Sequence, residues 1–315
     1  MSKLKTMFNL MKKKDNQKLK IAFMHNFSRS KISRLVPDKK YIGMWYKAVF
    51  GRKIDLKNPK TYNEKLQWLK IYNRNPEYTK LVDKQEVKKH IADKIGEKYV
   101  IPTLAVWDSV DDINIDSLPE QFVLKCTHDS GSIYICTDKT KFDLKAVKEG
   151  LRKKLKYNMY WWGREWPYKN VKPRIIAEKY MVDESGTELK DYKFFCFGGK
   201  AKYLFVATDR YNPDEETKFD FFDLEFNHLP FTNGHPNANR KIEKPKGFDK
   251  MVELAEILSE NMPHARVDFY DINGEVYFGE ITFSHWNGLV PFEPEEWDYK
   301  LGKLINLSGE SIVKE

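Results

Sequence analysis

The chain has 315 residues, 41% of them hydrophobic and 14% aromatic, with a formal net charge of +9. That is enough apolar material for a real core and enough length for about two compact lobes, while no stretch approaches the roughly 20 apolar residues of a membrane-spanning helix. Lysines interrupt the N-terminus throughout, no continuous apolar run forms there, and no small-residue cleavage site follows, so the segment does not read as a secretory signal.

The charge is unevenly placed. Residues 1–50 hold 13 Lys and Arg against the two acids Asp15 and Asp38, while the remaining 265 residues carry 42 basic and 44 acidic side chains. The basicity belongs to the N-terminal segment, and no nucleic-acid-binding motif accompanies it, which argues against nucleic acid as a partner. Cys126, Cys136 and Cys196 lie in apolar, strand-like runs without CxxC spacing or a matching set of histidines. They read as free buried thiols of a cytoplasmic protein rather than zinc ligands.

In chain order, Met1 to about Lys40 reads as basic helix, with Leu4, Met7, Phe8 and Met11 on one face and Lys3, Lys5, Lys12, Lys13 and Lys14 around them. Such a helix can lie on an anionic membrane surface, here the inner face of the cell membrane, or pack on its own domain. Helical patterning follows at Tyr62–Tyr72 and Asp83–Ile95, the second stopped by Gly96. Strands are expected at Gln121–Cys126, Ser132–Thr137, Arg174–Met181, Asp191–Phe197 and, after a Gly198-Gly199 turn, Lys200–Ala207. Another falls near Phe219–Phe226, followed by a Pro/Asn/Gly-rich loop and a helix at Phe248–Asn261. The strands Ala265–Tyr270 and Glu275–Phe283 close the pattern, joined by a turn with Asn273-Gly274 at its tip. The mixture is α+β. It divides into a basic helical extension (1–50), a helical, substrate-side region (51–120), a small lobe with a polar loop (121–182) and a C-terminal lobe (183–315).

Three features can carry chemistry. Arg266, Asp268 and Tyr270 share one face of their strand, as Glu280 and Thr282 do on the partner strand. With a register set by the Asn-Gly turn, Asp268 and Glu280 converge near Arg266. Two carboxylates suit a hard cation such as Mg²⁺, which takes one or two of them together with substrate phosphates; a surface ion-pair network is the plainer reading. Second, Phe122 to Cys126 delivers Lys125 ahead of a small polar loop, Asp129, Ser130, Gly131 and Ser132. Backbone N–H groups and a lysine can cradle phosphate there, although a hairpin turn has the same appearance. Third, Ile175 to Met181 followed by Asp191 and Lys193 could present a backbone edge to a base and an acid to a ribose, or be an ordinary half-buried strand. His128 and Ser130 lack a nucleophile elbow and an acid partner. Trp161, Trp162 and Trp166 could stack on a sugar or serve the core.

Together and in this order, from about Lys53 to Leu307, the motifs resemble the ATP-grasp superfamily, and within it the TupA-like branch associated with teichuronopeptide and other surface-polysaccharide pathways. The most specific pieces are Thr61-Tyr-Asn-Glu-Lys-Leu-Gln-Trp68, Val82-Asp-Lys84, Phe122-Val-Leu-Lys-Cys126, Asp191-Tyr-Lys-Phe194, Arg266-Val-Asp-Phe-Tyr270 and Phe278-Gly-Glu-Ile-Thr-Phe283. The resemblance implies an ATP-grasp fold with ATP held between two α+β lobes. It implies phosphate-binding roles for Lys84 and Lys125, a flexible phosphate loop at Asp129–Ser132, and an adenine-facing hinge at Glu178, Lys179, Tyr180 and Met181. Asp191 would bind ribose with Lys193 beside it. Arg266 would steady the transferring phosphoryl group, and Asp268 and Glu280 would hold Mg²⁺. Thr282 stands where the superfamily usually has asparagine, and its hydroxyl is a weaker metal ligand than an amide oxygen. His128, His285 and Asn287 are candidates for touching substrate.

The expected activity is an ADP-forming carboxylate–amine ligase that joins an acidic sugar, such as a uronic acid, to an amino acid or amino sugar. The alternatives are a glycosyltransferase of capsule or teichuronopeptide biosynthesis, for which Asp108 to Asp112 and Asp220 to Asp223 supply only scattered acids, and a non-enzymatic basic membrane- or nucleic-acid-associated protein.

Overall fold

The computed structural model describes residues 16–183, 189–210 and 214–308. The face made by Leu4, Met7, Phe8 and Met11 lies outside them. The described part of the N-terminus is not one continuous helix. Helix α1 (Asn16–Ser28) ends at Ser28, a 3₁₀ turn capped by Ser30 follows, and α2 (Asp38–Phe50) starts after Pro37. Proline fixes φ and has no N–H to give, so it suits a helix start and breaks a longer one. The two helices close on Met24, Tyr41, Trp45, Ala48 and Val49. They are also tied to the body of the protein. Tyr41 Oη donates to the Trp162 carbonyl at 2.8 Å, Tyr160 Oη donates to the Asp38 carboxylate at 2.7 Å, and Arg74 pairs with Asp38 at 3.0 Å.

Helix α3 (Tyr62–Tyr72) opens with a capping box, Thr61 accepting from the Glu64 N–H while Glu64 accepts from the Thr61 N–H. The helix expected at Asp83–Ile95 is α5 (Glu86–Ile95), and a short helix not expected from the sequence, α4 (Glu77–Val82), precedes it. Asp83 between them is extended, and its carboxylate accepts from the N–H groups of Gln85 and Glu86, as acids favour at helix starts.

The first sheet is antiparallel throughout and consists of β1 (Thr103–Trp107), β2 (Phe122–Cys126), β3 (Ile133–Cys136) and β4 (Ile175–Lys179), in the order β1-β4-β2-β3. Strand β1 was not expected; it comes from the region read as helical and forms an edge of this sheet. Helix α6 (Leu144–Leu155) covers one face, where Phe122, Leu124, Cys126, Val147, Leu151 and Ile175 form a core. Near it sits the short helix α7 (Tyr160–Gly163).

The second sheet contains β5 (Asp191–Phe197), β6 (Lys200–Thr208), β7 (Lys218–Phe222), β8 (His264–Ile272) and β9 (Glu275–Thr282), in the order β7-β6-β5-β8-β9. All seven residues of β5 are buried because both faces of the sheet are covered. Tyr192, Phe194 and Cys196 join α5 and α8 (Phe248–Leu258) on one side, while Phe195 and Phe197 meet α3 and α9 (Glu296–Leu304) on the other.

The β8–β9 hairpin turns on Asn273 and Gly274, with φ of 58° and 97°, as a two-residue turn requires. A regular register from that turn would place Asp268 opposite Gly279. Instead β9 carries one extra residue: Phe269 pairs with Phe278, but Asp268 pairs with Glu280 and Arg266 with Thr282, leaving Gly279 as the bulge. The bulge reverses the alternation. Val276, Phe278 and Ile281 all enter the same core, so Glu280 and Thr282 emerge on the face that holds Arg266 and Asp268. A Cβ at Gly279 would lie 3.1 Å from the Asp268 carbonyl oxygen, a close approach that glycine relieves.

Candidate active site

A cleft is walled by both sheets, with Val123, Lys125, Ile133, Ile135 and Glu178 from the first and Asp191, Lys193, Tyr270, Phe278 and Glu280 from the second. Lys84, Val87 and Lys88 border it from the α4–α5 region, and Ser130, Gly131 and Ser132 from the loop after β2. Its walls combine apolar side chains with charged ones, among which cations outnumber carboxylates, a mixture that suits a planar base and phosphates.

Glu178 and Lys125 reach each other diagonally across β4 and β2, where Val123 is the direct partner of Glu178. Lys125 Nζ lies 2.7 Å from one Glu178 oxygen, and Lys88 Nζ lies 2.7 Å from the other. Burial alone would raise the pKa of this carboxyl, but the two ammonium groups outweigh it and hold the pKa at about 2. Glu178 is therefore a shared counter-ion, ionised throughout the neutral range. Lys88 is pulled the other way, lowered by burial despite its acidic partner.

The loop Thr127–Ser132 is pinned at its base. The Thr127 N–H donates to the Arg174 carbonyl at 2.9 Å, the Lys84 N–H donates to the Thr127 carbonyl at 3.0 Å, and Ser132 Oγ accepts from the Cys126 N–H at 2.9 Å. Ser132 also donates to the buried Asp129 carboxylate, and the Lys84 ammonium to the Asp129 carbonyl. Only Ser130, Gly131 and Ser132 of the loop reach the cleft; Asp129 is turned inward and organises it. Gly131, with φ of 87°, supplies the left-handed bend.

At the far end Arg266 gathers four partners. Its Nε and Nη2 grip the two Asp268 oxygens at 2.7 Å each, and Nη2 also reaches Glu280 at 2.8 Å and Thr282 Oγ1 at 3.0 Å. Its Nη1 lies 2.8 Å from His285 Nδ1. A guanidinium can only donate, so that imidazole nitrogen is the acceptor and the proton sits on Nε2, 2.9 Å from Asn233 Oδ1. Burial and the adjacent guanidinium push His285 well below its ordinary pKa and keep it neutral. Lys193 completes the cluster, pairing with Asp268 and, at 3.3 Å, with Asp191, which is also paired with Arg210. Glu280 is held at about 2: burial would raise it, and Arg266, Lys193 and Lys84 more than compensate.

Among the described residues no three His, Cys, Asp or Glu side chains gather as metal ligands. The two carboxylates Asp268 and Glu280 with the Thr282 hydroxyl are a hard oxygen set of the size Mg²⁺ uses when phosphates complete its shell. They differ in access. Asp268 is fully buried and gripped by Arg266 and Lys193, while the Glu280 side chain keeps 39% of its surface exposed toward the cleft.

Of the residues singled out in the sequence, Lys84, Lys125, Ser130, Gly131, Ser132, Glu178, Lys179, Tyr180, Met181, Asp191, Lys193 and Glu280 border this one cleft. Arg266, Asp268 and Thr282 stand directly behind Glu280. The three residues expected to touch substrate are elsewhere. His128 is buried and its Nε2 donates toward the carbonyls of Tyr157, at 3.0 Å, and Lys154, at 3.3 Å. His285 braces Arg266, and Asn287 Oδ1 accepts from the buried Lys70 ammonium at 2.7 Å. These side chains support the site from within. Sequence reading missed Lys88 and Arg210; Lys88 could have been found, since it follows Lys84 by four residues in a segment whose pattern reads as helix.

A family model described as TupA-like ATPgrasp matches residues 64–306, and the chain belongs to that family. The two sheets around the cleft are accordingly those of an ATP-grasp fold. No curated protein matches the chain. Among solved structures it is similar to the D-alanine–D-alanine ligase from Bacillus anthracis complexed with ATP, at 15% identity and a TM-score of 0.38 over 64% of this chain and 53% of that one. It is similar to the ATP-grasp ligase PsnB complexed with minimal precursor, Mg and ADP, at 10% identity and a TM-score of 0.38 over 70% and 58%. The D-alanine–D-alanine ligase from Helicobacter pylori is matched at 14% identity and a TM-score of 0.39 over 79% and 70%. The chain thus spans little more than half the length of the first two.

Proposed function

We propose that this protein is an ATP-dependent carboxylate–amine ligase that forms ADP, and that it joins an acidic sugar such as a uronic acid, destined for a surface polysaccharide, to an amino acid or amino sugar. The observation that carries the reading is the convergence of Lys84, Lys88, Lys125 and Lys193 on one cleft that ends at Glu280, with Arg266 paired to that glutamate from behind. Such a site neutralises and positions phosphates, which is most of what phosphoryl transfer asks of a protein.

On this reading ATP lies with its base between the apolar walls of the two sheets, against the backbone of Lys179 to Met181, and with its ribose toward Asp191. The substrate carboxylate attacks the γ-phosphorus, the bond to ADP breaks, and an acyl phosphate results. The amine then attacks the acyl carbon and loses a proton as inorganic phosphate leaves. Arg266, fixed by Asp268 and His285, holds positive charge beside the transferring group, and Lys84 and Lys125 hold it along the chain of phosphates. Mg²⁺ would be held by Glu280, with Asp268 behind it, and would neutralise charge on the phosphates.

Incubating the purified protein with Mg-ATP, uronic acids and a pool of amino acids should yield ADP and phosphate only when both classes of substrate are present. The mass of the conjugate identifies the pair. Release of AMP and pyrophosphate would refute the acyl-phosphate route, and failure to bind ATP would remove the ligase reading altogether.

A further inference from the structure

The cleft leaves one surface feature unused. Among the described residues the most exposed large hydrophobic side chains are Leu35 at 83%, Ile32 at 68% and Phe23 at 56%; the next, Tyr157, reaches only 40%. All three fall between residues 23 and 35, on α1 and the 3₁₀ turn after it, and none joins the Met24–Tyr41–Trp45 core beneath. Scattered exposed apolar residues are ordinary, but the three extremes of a molecule in one short segment are not.

The same segment is strongly basic. Residues 16–40 contain Lys18, Lys20, Arg29, Lys31, Arg34, Lys39 and Lys40, all exposed, against Asp38 alone. Asp38 does not offset them, because its carboxylate is taken up from the body side by Arg74 and the Tyr160 hydroxyl. The segment is held rigidly from below, by Tyr41 to the Trp162 carbonyl and by Arg164 Nη2 to the Ser33 carbonyl at 2.8 Å.

We infer that residues 16–40 dock the protein on an anionic lipid bilayer, with Phe23, Ile32 and Leu35 entering the headgroup–acyl boundary and the surrounding lysines and arginines pairing with lipid phosphates. The combination selects that partner. Nucleic acid would satisfy the charges but offers no apolar phase for Ile32 and Leu35, and a second copy of this chain would oppose like charge to like. A bilayer surface supplies both the negative potential and the apolar layer below it. The inference concerns a different face from the cleft and does not depend on the ligase reading.

The test is co-sedimentation of the full chain with vesicles of phosphatidylcholine alone and of phosphatidylcholine mixed with phosphatidylglycerol. Binding is expected only to the mixed vesicles, and raising the salt concentration should weaken it. Replacing Phe23→Ser, Ile32→Ser and Leu35→Ser together should lower the partition coefficient at least tenfold with an unchanged melting curve, since none of the three is packed in the core. Lys31→Glu with Lys39→Glu should do the same through charge. No binding of the parent to the mixed vesicles, or undiminished binding of the serine variant, overturns the inference. So does a concentration-dependent dimer that the serine variant abolishes.

Discussion

Of the two carboxylates that Arg266 itself holds, Glu280, at 2.8 Å, is the one that opens on the cleft. Glu280→Gln keeps the shape and removes the charge. Mg-ATP turnover should fall by at least a hundredfold, about 3 kcal/mol of transition-state stabilisation, while the far-UV spectrum is retained. Undiminished turnover would show that the metal is held elsewhere. Glu178 gives a prediction in pH. Its folded pKa of about 2 lies below the ordinary glutamate value of about 4.3. The stabilisation it contributes is therefore complete above that ordinary value and is lost as pH falls from there toward 2. Glu178→Gln should flatten the acid limb of a stability–pH curve in that window. An unchanged acid limb would mean the Lys88–Glu178–Lys125 pairing is not held in solution.

At the scale of elements, the β8–β9 hairpin is where a single residue decides the chemistry. Gly279→Val would press a branched side chain toward the Asp268 carbonyl, already 3.1 Å from where a Cβ would sit. A loss of roughly 1–3 kcal/mol is expected by chemical denaturation, together with weaker Mg²⁺ dependence, because Glu280 would no longer sit squarely opposite Asp268. The hairpin also marks the limit of what the sequence could tell. Asn273-Gly274 announced the turn and alternation announced the strands, so Arg266, Asp268 and Glu280 could be named. The bulge could not be derived from alternation, although a glycine inside a strand was its one signal. Strand β1 escaped because five residues at a sheet edge, half exposed, have no clear period. The inward roles of His128, His285 and Asn287 escaped for another reason: their partners are carbonyls and side chains distant in sequence, which no local pattern encodes. Lys70 is one such partner. Its ammonium is buried, and burial lowers its pKa; it donates to the carbonyls of Gly163 at 2.9 Å and Asn287 at 3.0 Å. Lys70→Met should cost about 1–3 kcal/mol by leaving those acceptors unmet, read as a drop in melting temperature without loss of Mg-ATP affinity.

At the scale of the molecule, the cleft takes side chains from both sheets and from the α4–α5 region, so a ligand bound there ties separate cores together. Saturating Mg-ATP should therefore stabilise the whole chain as one unit, by about 2.7 kcal/mol at a ligand concentration about a hundredfold above Kd. Calorimetry should show a single transition moving upward; a shift confined to one of two transitions would mean that the sheets respond independently.

Glu178 has a consequence for selectivity that its pairing makes visible. A pocket lined by Lys84, Lys88 and Lys125 without an internal anion would be an indiscriminate trap for free phosphate, oligophosphates and other small polyanions. By standing between Lys88 and Lys125, Glu178 sets a threshold. An incoming anion must offer more than its charge, and on the proposed reading a nucleotide would do so with a base against the apolar walls and a ribose toward Asp191. The resident carboxylate thus acts as a tariff on bare charge, and leaves the cleft open to molecules that bring a matching body with it.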